Sequence, residues 1–383
     1  MKSKKDKIFI STGSTLLDLC VGGGVGMGFP VGKVVNIVGD KSVGKSGLAC
    51  ELIATAKYNF QDRLRFVYDD AEMGLTFDTK NLYGIDIDEH RIQSETVEEF
   101  FCNYMDFLKS VGEDEVGIYV LDTLDGLSSL ELKKRGEERI KAHRQGKDFD
   151  KGSYQMSSAK FLSQEFFRNI TGETDKKNTL LVIISQVRDN IDPFSFTKYV
   201  RSGGKALDFY AHTVLWLSVL KKIQRLGRAV GVLIKARTSK SKTPRPFRDC
   251  KFLFYFDYGI DDVGGNVDYL FDFRTEKGEL KKNAVAQWDE GGMKETKAEI
   301  LQFLKDNQVE VSGESTKAKM LDLIEADPEL LELYNERRGL VLSRKEMIAW
   351  IEVEMKEEEL KRRVIEKWED REKEISTKRK PKF

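Results

Sequence analysis

Apolar residues in this chain fall into short, β-branched runs separated by amphipathic stretches. Val34-Val35-Asn36-Ile37-Val38, Phe66-Val67-Tyr68, Gly117-Ile118-Tyr119-Val120-Leu121, Leu180-Leu181-Val182-Ile183-Ile184 and Thr213-Val214-Leu215-Trp216-Leu217 read as strands that are apolar on both faces. Such strands belong to parallel sheets, whose crossover helices cover both sides. The intervening stretches, such as 95–111 and 157–170, carry apolar residues at helical spacing. After a short lead-in (1–33), residues 34–272 are therefore expected to form an α/β core, a doubly wound and mostly parallel sheet. From about residue 294 the alternation stops. Lys, Glu, Leu and Ile dominate, strand runs vanish, and 294–307, 317–326 and 344–376 read as amphipathic helices. Residues 273–376 are expected to be a mostly helical domain, and 377–383 a basic tail.

Composition narrows the setting. None of the 383 residues lies in a run near the roughly 20 apolar residues that span a bilayer. The opening MKSKKDKIF has no apolar signal core. Cys20, Cys50, Cys102 and Cys250 are scattered without metal-ligand spacing, which argues against a disulfide framework or a cysteine zinc site. A cytoplasmic protein without membrane partners is expected. Lys and Arg number 64, as do Asp and Glu, so the net charge is zero. Taken alone, that balance speaks against a nucleic-acid partner. It averages over unlike parts, however, because basic residues gather at 133–151, 188–201, 235–245 and in the tail.

Glycine is dense between Gly13 and Gly47. Within that region Gly39-Asp40-Lys41-Ser42-Val43-Gly44-Lys45-Ser46 fits GxxxxGK[ST], directly after the strand 34–38 and before a helical stretch, 47–58, that opens at Gly47. Glycines let the backbone curl so that its N–H groups face an anion, and the following helix adds its positive dipole end. ATP is the expected ligand, with Lys45 reaching the β- and γ-phosphates and Ser46 a ligand for Mg²⁺. Asp122 closes the strand 118–121 and is the second expected holder of Mg²⁺, with Asp125 less well placed. Hydrolysis also needs a group to activate water. The strand 66–68 runs into Asp69-Asp70-Ala71-Glu72, and chemistry alone leaves Asp69, Asp70 and Glu72 open for that role.

Beyond these motifs the sequence resembles the RecA-type recombinases. Ile10-Ser11-Thr12-Gly13-Ser14 with Leu17-Asp18 is similar to the family's segment ahead of the P-loop, and Asp70-Ala71-Glu72 to its DAE element. Ser185-Gln186-Val187-Arg188 stands where the family has an Asn-Gln pair, with Ser as a departure. Gly203-Gly204-Lys205-Ala206-Leu207 with Phe209-Tyr210-Ala211 resembles the stretch that closes the second DNA loop. Lys240-Ser241-Lys242 before Pro246-Phe247 resembles a lysine pair that reaches a neighbouring subunit's γ-phosphate. The likeness runs on through Thr275-Glu276-Lys277-Gly278 and Ile300–Asn307, and so covers roughly residues 9–310. Its divergence from cellular RecA fits the bacteriophage, UvsX-like branch. The resemblance implies that Glu72 activates water, that Gln186 senses the γ-phosphate, and that Lys240 and Lys242 act in trans. Nine residues precede Ile10, too few for the helix and strand with which cellular RecA docks on its neighbour, so assembly by that route is not expected.

DNA is expected at 188–201. Arg188, Lys198 and Arg201 can pair with phosphates, while Phe194, Phe196 and Tyr199 can contact bases. Lys151 ends a second basic segment, 132–151, with eight Lys or Arg against four Asp or Glu; a solvated helix explains it about as well. His212 and Trp288, Trp350 and Trp368 read as packing residues. The expected function is an ATP-dependent recombinase that pairs single-stranded with homologous double-stranded DNA as a filament or ring, with a single-strand-binding or loader protein as a further partner. The alternative is a DNA-stimulated ATPase of the same fold, a replication or repair accessory or a ring-forming motor, that exchanges no strands.

Overall fold

The structure, a computed structural model, describes residues 7–145, 166–189, 199–201, 204–288, 297–311, 315–338 and 340–377. These fall into two compact units, residues 1–266 with 364–383, and residues 267–363.

The larger unit is built on strands β1 (Phe9–Ile10), β2 (Phe29–Pro30), β3 (Val34–Gly39), β4 (Leu64–Asp70), β5 (Arg91–Ile92), β6 (Val116–Asp122), β7 (Thr179–Asp189), β8 (Tyr199–Arg201), β9 (Thr213–Arg225), β10 (Arg228–Ser241), β11 (Asp249–Tyr255) and β12 (Gly259–Asp261). Ten of them form one sheet in the order β12-β11-β10-β9-β3-β7-β6-β4-β5, with β8 on the end of β7. From β9 to β5 neighbours are parallel, and β9 to β12 pair antiparallel. The five sequence-expected strands are β3, β4, β6, β7 and β9, adjacent in this sheet.

Both faces of the central strands are buried. Val34, Val38, Tyr119, Leu121, Leu181, Ile183 and Val214 meet Phe100, Tyr104 and Phe107 of the helix Val97–Ser110, and Phe166, Phe167 and Ile170 at the helix Phe167–Lys176. Alternate residues of the same strands point to the opposite face, where the helix Lys45–Phe60 packs across β3, β4, β6 and β7. Of the expected helix 157–170, the part before Phe166 lies outside the described residues. The basic stretch after Ser129 is a helix, Leu130–Arg144, with none of its residues buried. Lys133 pairs with Glu95 and Arg135 with Glu131.

The smaller unit holds the helices Lys297–Asp306, Lys317–Glu325 and Pro328–Arg338 around Ile300, Phe303, Leu304, Met320, Ile324 and Tyr334. It is not free of strands, a correction to the sequence reading: Val285–Gln287 and Val341–Ser343 pair antiparallel. Three-residue strands are too short for a period to register in sequence. The expected helix 344–376 is also two helices, Arg344–Val353 and Glu357–Ile375, separated at Met355 with φ 52°. Trp288 packs against Trp350 at 5.0 Å between ring centroids and under the Arg363 guanidinium at 4.3 Å, a packing role as expected.

Candidate functional site

The carboxyl ends of β3, β4, β6 and β7 lie side by side, the edge where open α/β sheets bind ligands. The chain leaves β3 at Gly39, turns through Ser42 at φ 56° and Gly44 at φ 92°, and enters the helix Lys45–Phe60. Gly44 takes a left-handed conformation that a side chain would strain. Gly47 lets that helix approach β11, since a Cβ there would stand 2.4 Å from Phe254 Cζ. A glycine-bearing turn that leads into a helix N-terminus fits a phosphate chain. Lys45 is nine-tenths buried, and its ammonium donates to Gly39 O at 3.0 Å and Asp40 O at 2.8 Å. Burial lowers its pKa, opposed by the carboxylates of Asp122, Asp40, Glu72 and Asp125.

Ser46 Oγ donates to Asp122 Oδ2 at 2.6 Å, and Tyr68 OH donates to the same oxygen at 2.6 Å. Burial pushes the Asp122 carboxyl up, and the two hydroxyls pull it back down. A hydroxyl and a carboxylate oxygen beside the phosphate loop are hard donors suited to Mg²⁺. Tyr68 was missed in the sequence, where a tyrosine within an apolar strand reads as core.

The three acids after β4 separate by environment. Asp69 is fully buried and accepts from Ser94 N, Ser94 Oγ and Tyr119 OH at 2.8, 2.6 and 2.7 Å. Asp70 is buried and accepts from Gly74 N at 2.9 Å and Leu75 N at 3.0 Å, fixing the turn that follows. Glu72 is exposed, and its Oε1 accepts from Thr123 Oγ1 at 2.6 Å and Gln186 Nε2 at 2.8 Å. Asp125 serves the frame, accepting from Gln186 N at 2.8 Å. Ser185 is buried, and its hydroxyl accepts from Asn36 Nδ2 at 2.9 Å, which ties β7 to β3 beneath the site.

A cleft of about 330 Å³ adjoins the loop, lined by residues 42–47 together with Phe77, Leu82, Tyr83, Phe254 and Phe256. These aromatics suit a nucleotide base by stacking and were also missed. They come from segments about 40 and 210 residues away in sequence, which only the folded chain brings together.

Lys240 and Lys242 lie at the other end of the strands. Ser241 stands opposite Thr213, which stands opposite Val35, whereas Gly39 stands opposite Leu217. Four residues of β3 separate these levels, about 13 Å along the strand. Lys240 Nζ is held by the carbonyls of Asp208 and Phe209. Lys242 is exposed and borders a cleft of about 970 Å³ with Lys33, Arg63, Glu115 and His212. His212 is half-buried there, its Nδ1 3.1 Å from Thr213 Oγ1.

Arg188 lies in β7, and Tyr199 and Arg201 lie in β8, which pairs antiparallel with the end of β7. Phe194, Phe196, Lys198 and Lys151 lie outside the described residues. Among the described residues, no helix is long and apolar enough to cross a membrane.

The chain is similar to known proteins. The family model of the RecA N-terminal domain matches residues 1–261. Protein RecA of Colwellia psychrerythraea (strain 34H) is 31% identical over 260 residues, which cover 68% of this chain and 69% of that protein. A crystal structure of the RadB recombinase superposes with a TM-score of 0.45 at 17% identity, covering 66% of this chain and 98% of that one. A family match across two thirds of the chain, with P-loop, carboxylates and glutamine in one sheet edge, makes this chain a member of the RecA-type recombinase family.

Proposed function

We propose that this chain is an ATP-dependent recombinase that assembles on single-stranded DNA and pairs it with a homologous duplex. In this reading ATP lies on residues 39–47, with Lys45 against the phosphates and the aromatic cleft around the base. Ser46 and Asp122 would hold Mg²⁺, which supplies positive charge against the phosphates. Glu72 orients and deprotonates the attacking water. Thr123 and Gln186 both bind its Oε1, and Oε2 accepts no hydrogen bond among the described residues. One oxygen is thus anchored while the other is available to water.

The observation that carries the reading is the 2.8 Å bond from Gln186 to Glu72. Gln186 sits on β7 two residues before Arg188, where the 188–201 segment begins. A change at the nucleotide that alters this bond therefore acts on the strand leading into the DNA segment, and the reverse holds by linkage. Lys240 and Lys242 are too far from their own P-loop to serve it, which supports action on a neighbouring subunit. There a lysine neutralises charge developing on the γ-phosphate, as arginine fingers do.

The test measures single-strand affinity with and without a non-hydrolysable ATP analogue, then strand exchange with homologous and heterologous duplexes. ATP-raised affinity and homology-dependent exchange are expected. Affinity indifferent to nucleotide overturns the reading; nucleotide-raised affinity without exchange leaves a DNA-stimulated ATPase of this fold.

A further inference from the structure

The loop between β10 and β11 carries Lys242 and is tied to the last helix by one carboxylate. Its base is closed by Thr238 N donating to Arg248 O at 2.8 Å and Arg248 N donating to Thr238 Oγ1 at 2.9 Å. Pro244 and Pro246 have no N–H to donate, and Phe247 sits at φ 65°. Outward from the base, two guanidiniums converge on a single oxygen. Arg245 and Arg248 donate to Glu372 Oε2 at 2.7 and 2.8 Å. The Glu372 and Arg248 side chains are 12% and 7% exposed, so water screens this contact poorly. Arg248 also donates to Leu19 O at 3.0 Å, which fixes it to the body of the unit.

A cleft of about 420 Å³ lies between the loop and the helix, lined by Phe247, Trp368, Arg371 and Ile375 among others. Ions hold the loop across it. Without the carboxylate, two cations would face each other, one of them nearly buried, with their shared counter-charge gone. Arg245 stands three residues from Lys242. Lys240 has its own anchors on two carbonyls, whereas the Lys242 ammonium has no hydrogen-bond or ion-pair partner among the described residues. A shift of the loop therefore falls on Lys242.

We propose that Glu372 is a positioning residue. Through Arg245 and Arg248 it sets where Lys242 is presented, so the last helix governs the charge offered to a neighbouring subunit's nucleotide. This rests on the in-trans reading of Lys242 given above.

The experiment uses full-length Glu372→Ala, Glu372→Gln and Lys242→Ala, with ATP turnover measured with and without single-stranded DNA. Amide hydrogen exchange over 241–249 is followed without nucleotide. Glu372→Ala is expected to lose about tenfold or more of DNA-stimulated turnover, as an in-trans cation displaced from its charge does, while DNA-free turnover holds. Exchange over 241–249 should rise. Mixing with Lys45→Ala subunits, whose own P-loop is dead but whose loop and Glu372 are intact, should restore stimulated turnover. Glu372→Gln keeps the shape and should fall between wild type and Glu372→Ala; it also serves if the alanine variant fails to fold. Unchanged exchange and unchanged stimulated turnover in both variants overturn the proposal, as does a turnover loss that mixing fails to restore. Full stimulated turnover in Lys242→Ala overturns the in-trans reading itself, and that result is recognisable whatever the exchange data show.

Discussion

Gln186 Nε2 donates to Glu72 Oε1 over 2.8 Å, the oxygen that also accepts from Thr123 Oγ1 over 2.6 Å. The pair links the chain leaving β4 to β7 across the end of β6, because β6 lies between those strands. One carboxylate thus reports to two neighbouring strand ends. Glu72→Ala is expected to keep nucleotide affinity and lose about 10²–10⁴ in turnover. Gln186→Ala should retain DNA-free turnover to a larger degree and lose its stimulation by single-stranded DNA. Nucleotide titration and turnover with and without DNA check both variants. Wild-type stimulation in Gln186→Ala would break the proposed coupling.

Tyr68 gives a second test, in the floor of the site. Its hydroxyl is buried against Asp122 Oδ2 at 2.6 Å, sharing that oxygen with Ser46. Tyr68→Phe removes a donor to a carboxylate that burial already pushes up, so protonation becomes easier still. The expected loss is about 1.5–3 kcal/mol of stability, the range for a bond to a charged group. The Mg²⁺ concentration for half-maximal turnover should rise, more so at lower pH. Denaturant unfolding and magnesium titration at two pH values check this. An unchanged magnesium requirement would make Tyr68 a packing residue only.

How much of this was legible beforehand depended on what each feature requires. The P-loop announces itself because phosphate binding needs Gly44, Lys45 and Ser46 consecutively in one turn. Strands β3, β6 and β7 were legible because burial on both faces keeps their central runs, 34–38, 117–121 and 180–184, apolar but for the Tyr119 hydroxyl and Asn36, which donates to Ser185 Oγ and Ile183 O. The choice among Asp69, Asp70 and Glu72 was not written in their chemistry. It lies in Ser94, Tyr119 and Leu75, residues that reach the first two acids only after folding. The link between Glu372 and Arg248 spans 124 residues, and no local pattern marks a carboxylate that will return to a distant loop. The ribbon 285–287 with 341–343 escaped for want of length.

The 188–201 segment is tested by salt. Binding through phosphates releases counterions, so affinity for single strands falls with a slope of about 0.7 per phosphate neutralised. With zero net charge on the chain, little of that slope should come from the global field. Arg188→Ala and Arg201→Ala are each expected to flatten the slope by about 0.7 in the ATP-bound state and to leave it unchanged without nucleotide. Fluorescence anisotropy over a salt series measures it. A steep slope that ignores both substitutions would move the DNA surface elsewhere, with the exposed basic helix Leu130–Arg144 as the next place to test.

Stability against pH sets two raised carboxyls, Asp18 and Glu51, against the lowered imidazole of His212. Asp18 accepts from Ser11 Oγ, Thr12 N and Thr12 Oγ1 at 2.5, 2.7 and 2.7 Å, yet burial pushes its carboxyl up to about 7, with Asp262 adding to the rise. Glu51 on the P-loop helix is likewise raised by burial to about 7. His212 moves the other way, to about 4, through burial first and then Lys33, Lys242, Lys7 and Lys240. For an acid with a raised folded pKa, the native state holds a proton that the unfolded chain has released, so stability grows as pH falls toward the unfolded value of 3.8. For His212 the unfolded chain takes up a proton below 6.5 that the native state refuses until about 4, so stability drops across that interval. Both slopes act between 4 and 6.5 with opposite sign, each about 1.4 kcal/mol per pH unit at most. Asp18→Asn should therefore make the protein lose stability more steeply on acidification, and His212→Gln less steeply. Denaturant unfolding of the two variants and the wild type across that interval measures the three slopes. Parallel curves would mean that neither group titrates differently in the folded and unfolded chain.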